Sequence, residues 1–211
     1  MNNEIQLGEE FVNYYSELKQ EIFTLKSISR IFGGASRETY RLSVLNKDLI
    51  ETNLIYRRTQ SSALIETEQL TEYSAYLAFQ DSKVPVPKTI AIEESPDTLG
   101  APFMVMEELR GAAASPFDQE AYSPYEEKLG HQFWDILGEI VLKDIDDPNL
   151  ASIPRTESKE SCWKRELDHW VKVIRQDSYS VEPILEAAIR ELYRNYPKDS
   201  AKKCLVHGDY R

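Results

Sequence analysis

The spacing of apolar residues predicts the elements of the first part of the chain. From Ile5 to Lys26 apolar residues recur every three or four positions, which predicts an amphipathic helix. From Ser27 to Val44 apolar and polar residues alternate on either side of a glycine-containing stretch, which predicts a β-hairpin. Residues 54–58, Leu-Ile-Tyr-Arg-Arg, predict a third strand.

The next segments continue this mixture of strand and helix. Residues 61–80 have helical spacing of their apolar positions and predict a second helix. Residues 84–92 are predicted to be extended, because the prolines of the Val-Pro-Val-Pro segment do not fit a helix. Residues 101–109 form a strongly apolar strand that ends in two carboxylates, and Arg110-Gly111 breaks it.

After residue 110 the apolar spacing becomes helical and stays so. Helices are predicted over 125–144, 158–174 and 183–196. The apolar pair Leu205-Val206 predicts the end of a buried strand or a tight lead-in to the final residues. This shift divides the chain into a sheet-rich lobe, 1–109, and a mostly helical lobe, 110–211, so the predicted fold class is α+β.

Composition excludes several classes of protein. The 211 residues carry 25 Lys and Arg against 36 Asp and Glu, a net charge of −11, which predicts no nucleic-acid partner. The sequence has no run of eighteen apolar residues, so we expect no membrane span. Cys162 and Cys204 have no CxxC partner, and the N-terminus is polar and acidic. We therefore expect reduced thiols and a cytoplasmic location.

The last residues of the chain offer a candidate for catalysis. His207, Gly208, Asp209 and Arg211 follow the apolar pair directly. Taken alone, the tripeptide favours a strand that ends in a common Gly-Asp turn.

The tip of the predicted hairpin is rich in small residues. Gly33 and Gly34 would let backbone N–H groups approach an anion closely, and the Ser36 hydroxyl could bond a phosphate oxygen. An ordinary hairpin explains the same residues, and the GxGxxG spacing of protein kinases is absent. Arg37 could equally be a solvated surface charge.

The third strand and the second helix contain charged residues that could pair. Arg57 and Arg58 are adjacent, so their side chains must point to opposite faces of a sheet. An alternative is a pair of charges that protects an edge strand from aggregation. The helix offers Glu66, Glu68 and Glu72, any of which would usually be only solvated.

Together these motifs resemble the aminoglycoside-phosphotransferase and choline-kinase-like family of the protein-kinase-like fold. The resemblance runs from about Ile28 to the end and is greatest to the group that includes the kinase-like domains of some acyl-CoA dehydrogenases. It implies a two-lobed fold with an antiparallel N-terminal sheet lobe and an incomplete helical lobe. It also implies ATP-dependent phosphorylation of a small-molecule hydroxyl, with Mg²⁺.

The resemblance implies roles for residues that act on the acceptor, on the transferred phosphoryl group and on the nucleotide phosphates. Asp209 would deprotonate the acceptor hydroxyl, and Arg211 would neutralise charge on the transferred group. Gly33, Gly34 and Ser36 would cover the phosphates of the nucleotide.

The remaining implied roles concern how the nucleotide is held. Arg57 would hold the α- and β-phosphates, with Arg58 as the fallback. Glu72 would hold that arginine, since it stands at about the family's offset before the Val-Pro-Val-Pro segment. The carbonyl of Glu107 and the N–H of Leu109 would bond adenine, with Met106 behind it.

The sequence departs from the family's pattern at its end. An asparagine five residues after the catalytic aspartate and a later aspartate would bind Mg²⁺, and both would lie beyond Arg211, so no metal ligand is predicted in this chain. We expect a fragment or a truncated product that cannot transfer phosphate alone. The alternative is a non-catalytic kinase-like module that binds a nucleotide or a protein. The acceptor, and the choice of ATP over GTP, stay open.

Overall fold

The computed structural model describes residues 2–32, 37–59, 69–111, 118, 120–155, 162–196 and 202–210, and the fold is α+β as predicted. The chain forms two compact units. The first is Met1–Ile140 with Asp146–Ile153, and the second is Val141–Ile145 with Pro154–Arg211. The boundary predicted at residue 110 separates a sheet-rich lobe from a helical lobe, whereas these two units are defined by their compactness. The predicted lobe boundary therefore stays a prediction.

The first unit is built on a five-stranded antiparallel sheet with the strand order β1-β2-β3-β5-β4. Its elements, in chain order, are α1 Asn2–Lys19, β1 Phe23–Ile31, β2 Arg37–Asn46, β3 Glu51–Thr59, α2 Gln69–Phe79, β4 Thr89–Glu93 and β5 Phe103–Glu107. The three strands β1, β2 and β3 are consecutive neighbours because short connections favour antiparallel pairing.

One face of the sheet and α1 enclose the hydrophobic core. Phe11 of α1 is fully buried, and its ring centroid lies 5.0 Å from that of Tyr56 on β3. Tyr56 in turn contacts Phe103 of β5 edge to face at 5.2 Å, and Tyr14 of α1 does the same at 5.2 Å. The apolar stripe of α1 therefore folds onto the alternate residues of the central strands.

The predicted extent of the first helix is wrong at its C-terminal end. The helix ends at Lys19, Gln20 adopts φ 54°, and β1 begins at Phe23, which pairs with Asn46 of β2. The apolar residue Leu25 fits the spacing of a helical face, yet it belongs to the strand. Pairing with a distant strand decides this boundary, and local spacing does not contain that information.

The second half of the chain is helical, as predicted. Its helices are α3 Glu126–Leu142, a 3₁₀ turn Pro148–Leu150, α4 Cys162–Asp177 and α5 Pro183–Arg194. Pro183 occupies the first turn of α5, where its missing N–H costs nothing. Within the second unit, Arg175 of α4 pairs with Glu186 of α5 at 3.2 Å, and the Trp163 and Tyr196 rings stack at 5.0 Å.

Candidate active site

The two arginines of β3 lie on opposite faces of the sheet. Arg57 is opposite Thr39 of β2 and Met104 of β5, and its side chain reaches α2. Arg58 is on the α1 side, with its Nε 3.8 Å from Glu38 Oε2. Because β3 is an interior strand, the alternative that this pair protects an edge strand is wrong.

Arg57 and Glu72 form an ion pair. The Arg57 Nη1 donates a hydrogen bond to Glu72 Oε1, and the Tyr76 hydroxyl donates to the same oxygen at 3.0 Å. Glu72 is in the first turn of α2, where the helix dipole favours a negative charge. Both charged side chains are about one quarter exposed, at 25% and 26%. The pair is therefore accessible to a ligand from one side, while Tyr76 limits how the carboxylate can turn.

Arg37 is a second cation on the same carboxylate. Its Nε lies 3.6 Å from Glu72 Oε2, and its Nη1 donates to Thr59 Oγ1 at 3.1 Å. The side chain is only 3% exposed. Burial lowers the pKa of the Arg37 guanidinium, and the neighbouring Glu72 opposes that shift. The interpretation of Arg37 as a solvated surface charge is therefore wrong.

Gln69 fixes the start of α2 against β3. The Thr59 hydroxyl donates to Gln69 Oε1 at 3.1 Å, and the Gln69 Nε2 donates to the Arg57 carbonyl at 3.2 Å. Gln69 is buried, and both the oxygen and the nitrogen of its side-chain amide form hydrogen bonds with protein groups instead of water. The same network that holds Arg37 thus sets the position of the helix that carries Glu72. Glu66 and Glu68 lie outside the described residues, so the choice of Glu72 rests on its own contacts.

Strand β5 continues the face that carries Arg57. Met104 is opposite Arg57 and Met106 is opposite Ile55, and both methionines are buried. The strand ends at Glu107, and the N–H of the next residue donates to the Asn53 carbonyl at 3.1 Å.

The chain then leaves the sheet. Leu109 is exposed, two residues beyond the end of the strand. The structure therefore places Met106, Glu107 and Leu109 at the exit of the strand next to β3. Their contacts with adenine stay a prediction.

The face of the sheet that packs on α1 has a cavity that is lined by more acidic than basic side chains. A cavity of about 500 Å³ lies against α1 there, and its charged lining residues are Glu4, Glu10, Glu38, Arg30 and Arg58. Its three carboxylates outnumber its two guanidinium groups. Such a cavity does not favour a polyanion, whereas Arg57 and Arg37 bring two cations to one carboxylate at the candidate phosphate site.

The His-Gly-Asp loop belongs to the second unit. Gly208 has φ +83°, a conformation that residues with a side chain rarely adopt, so glycine is required in this turn. The His207 and Tyr210 rings meet at 5.4 Å on either side of it, and Asp209 is exposed. The preceding residues form no strand, and Val206 is exposed. The prediction of a buried strand end is therefore wrong, because no strand of the described residues pairs with it.

Four predicted site residues lie outside the described residues: Gly33, Gly34, Ser36 and Arg211. Among the residues that the structure describes, no group of three or more His, Cys, Asp or Glu side chains could hold a metal ion.

Comparison with known proteins identifies the family. The model of the phosphotransferase enzyme family, APH, matches residues 27–211, and the chain belongs to this family. Over 140 residues the sequence is 24% identical to acyl-CoA dehydrogenase family member 11 of Rattus norvegicus, covering 66% of this chain and 18% of that protein.

Two crystal structures resemble this chain. One is a candidate aminoglycoside phosphotransferase of Ralstonia eutropha, with a TM-score of 0.68 and 18% identity over 96% of this chain and 57% of that one. The other is a candidate fructosamine-3-kinase of Thermobifida fusca, with a TM-score of 0.46 and 13% identity over 94% of this chain and 66% of that one. This chain thus spans little more than half of the first structure and less than a fifth of the rat protein.

These comparisons confirm the family resemblance and the kinase-like fold class inferred from the sequence. No helix in the described part of the chain combines the length and the apolar character that crossing a membrane requires.

Proposed function

We propose that this chain supplies the nucleotide-binding elements and the catalytic loop of an ATP-dependent phosphotransferase that phosphorylates a hydroxyl of a small molecule. The ion pair between Arg57 of β3 and Glu72 of α2 carries the proposal. In kinase-like enzymes a strand cation held by a helix carboxylate fixes the nucleotide phosphates. The membership of the chain in a phosphotransferase family supports reading the pair in that way.

The charges around Glu72 suit a polyphosphate. Arg37 and Arg57 bring two guanidinium groups to one carboxylate, so this cluster of three side chains has a net positive charge. Guanidinium groups bind phosphate oxygens with two parallel hydrogen bonds, and partial burial strengthens such bonds. Because Arg37 is buried and Arg57 is one quarter exposed, Arg57 is the residue that we assign to the phosphates.

We assign the base of the nucleotide to the exit of β5. Backbone groups there are the donors and acceptors that adenine requires, namely the Glu107 carbonyl and the Leu109 N–H. Met106 is buried on the face that carries Arg57, which supports an apolar wall behind the ring. Gly33, Gly34 and Ser36 would cover the phosphates.

The transfer step follows from the loop chemistry. Asp209 accepts the proton of the acceptor hydroxyl while the oxygen of that hydroxyl forms a bond to the γ-phosphorus. The bond from that phosphorus to the β–γ bridging oxygen breaks, so that ADP leaves and a phosphate ester is formed. Arg211 stabilises the charge on the transferred group. Most of the gain in rate in such a site comes from positioning and electrostatic stabilisation.

Mg²⁺ would screen the phosphate charge in such a reaction. Among the described residues, no group of three or more His, Cys, Asp or Glu side chains is placed to hold the ion. We propose that the 211-residue chain alone does not transfer phosphate.

Binding of ATP to the complete gene product tests the proposal. Arg57→Gln should weaken ATP binding by about tenfold or more, because it removes a charge-assisted contact to phosphate. Arg30→Gln is the matched control, since Arg30 is an arginine paired with Glu38 at 3.2 Å on the α1 side. Isothermal titration calorimetry measures both. Equal affinity in the wild type and Arg57→Gln would contradict the assignment.

Asp209→Asn separates catalysis from binding. The variant should keep its ATP affinity within about threefold and lose at least about a hundredfold in transfer rate, since it removes the proton acceptor. If the wild type binds ATP without transferring phosphate to any acceptor or to water, the non-catalytic binding module is the better description.

A further inference from the structure

Arg37 poses a question that the proposed function does not answer. A guanidinium group that is 97% buried must be compensated, because removing a charge from water is costly. One hydrogen bond of Arg37 goes to Thr59 and one ion pair goes to Glu72, and both of those residues belong to the network around Arg57. Arg37 thus lies beside the candidate phosphate site, yet its side chain is buried and is not exposed to a ligand in solution.

The two oxygens of the Glu72 carboxylate have different partners. Oε1 accepts from Arg57 Nη1 and from the Tyr76 hydroxyl, and Oε2 faces Arg37 Nε at 3.6 Å. This division fixes the rotation of the carboxylate about its last side-chain bond. With Oε2 held by Arg37, Oε1 stays directed at Arg57.

We infer that Arg37 is a positioning residue that sets the orientation of Arg57 toward the nucleotide phosphates through Glu72. The inference rests on the proposed function and assigns Arg37 no contact with the nucleotide itself. Arg37 is also the residue directly after Ser36. Arg37 is the first residue of β2, so its ion pair with Glu72 joins the start of that strand to α2.

The geometry requires an arginine in particular. Nη1 serves Thr59 while Nε serves Glu72, so one planar group holds a strand residue and a helix residue together. A lysine has a single ammonium group and cannot reproduce this fork, although it keeps the charge. Arg37→Lys should therefore restore only part of what Arg37→Gln removes.

A merely structural role for Arg37 makes a different prediction. If the residue only stabilises the first unit, its loss should weaken the binding of every ligand of this site alike. If it positions Arg57, its loss should weaken ligands that carry phosphates and spare a ligand that has none. Adenosine provides that second ligand, since it contains the base and the ribose of ATP alone.

The experiment compares ATP and adenosine binding by calorimetry in the complete gene product. The variants are Arg37→Gln, Arg37→Lys and Arg57→Gln, with Arg30→Gln as the control. We expect Arg37→Gln to weaken ATP binding by about tenfold and adenosine binding by less than about twofold, and Arg37→Lys to fall between it and the wild type. If Arg37→Gln does not fold, Arg37→Lys is compared with the wild type for the same ratio.

The outcomes separate this inference from the proposed function. If Arg57→Gln weakens ATP selectively while both Arg37 variants keep the wild-type ratio of ATP to adenosine affinity, the positioning role is wrong and the nucleotide site stands. An equal loss for both ligands in the Arg37 variants would show a structural role alone and would also overturn the inference. If Arg57→Gln causes no selective loss either, the phosphate site itself is wrong, and the positioning role is wrong with it.

Discussion

Replacing Glu72 with glutamine isolates the contribution of one negative charge to the stability of the first unit. Glutamine has nearly the same volume, and its carbonyl oxygen can still accept the hydrogen bond from Tyr76. It carries no charge, so Arg57 and Arg37 would face each other without the anion between them. The substitution therefore changes the electrostatics of the site with little change of shape.

The size of the effect follows from the burial of the partners. Removing one member of a fully buried pair costs about 3–5 kcal/mol, and an exposed pair is worth about 0–1 kcal/mol. Arg37 is almost fully buried, while Glu72 and Arg57 are each about one quarter exposed. After the substitution Arg37 keeps its hydrogen bond to Thr59. We therefore expect Glu72→Gln to lower the free energy of unfolding by about 2–3 kcal/mol.

Thermal and urea unfolding followed by circular dichroism would measure this loss. For a chain of this size, the expected change corresponds to a fall in Tm of about 4–12 °C. The chain has two compact units, so the transition is assigned to the first unit by hydrogen exchange of peptides from α2.

Glu139→Gln is the matched control. Glu139 accepts from Lys83 at 3.0 Å, and these side chains are 42% and 84% exposed. Its removal should cost less than about 0.5 kcal/mol, as is usual for surface pairs. The reasoning about Glu72 would be refuted if Glu72→Gln and Glu139→Gln changed the free energy of unfolding by the same small amount.

Three further predictions concern aromatic side chains of the first unit. Phe11→Ala should cost about 3–5 kcal/mol in urea unfolding, because Phe11 is fully buried; a loss below about 1 kcal/mol would contradict the packing of α1 on the sheet. Tyr56→Phe should be neutral or stabilising by up to about 1 kcal/mol, since the Tyr56 hydroxyl is buried without a hydrogen-bond partner among the described residues; a clear loss of stability would show that the hydroxyl has a partner. Burial raises the pKa of Tyr56 and of Tyr76 to about 12 from 10.0, so their contribution to stability is complete below pH 10 and is lost as the pH rises from 10 to 12; urea midpoints across that range measure the loss, and replacing both tyrosines with phenylalanine should reduce it without removing it, because burial also raises the pKa of Tyr15 and of Tyr40.

The sequence was sufficient to predict the order of the elements and most of the sheet. Alternation of apolar residues identifies strands, and helical spacing identifies α3 and α5, because burial of one face imposes these periods. The boundary between α1 and β1 was not predictable, since Leu25 fits both periods. Its place is set by the pairing of β1 with β2, which involves residues far along the chain.

The candidate site was predictable only in part. Alternation shows that Arg57 and Arg58 lie on opposite faces, and the offset of Glu72 from the Val-Pro-Val-Pro segment selects one glutamate on the helix. The burial of Arg37 depends on where Glu72 of α2 and Thr59 of β3 lie in the folded chain, and that is a tertiary property. A usable signal was present, since Arg37 and Thr39 are two residues apart on β2 and Thr39 is opposite Arg57. Alternation therefore places Arg37 on the face of Arg57.

Transfer of the γ-phosphoryl group of ATP is the most direct test of the central claim. The complete gene product is incubated with radiolabelled ATP and with aminoglycosides, macrolides, sugars, choline-like alcohols and hydroxyacyl compounds in turn, and Asp209→Asn is assayed in parallel. The account predicts a phosphate ester on the hydroxyl of one of these classes with the wild type, and no ester with Asp209→Asn. Retention of the label in ATP under every condition, or equal transfer by Asp209→Asn, would contradict it.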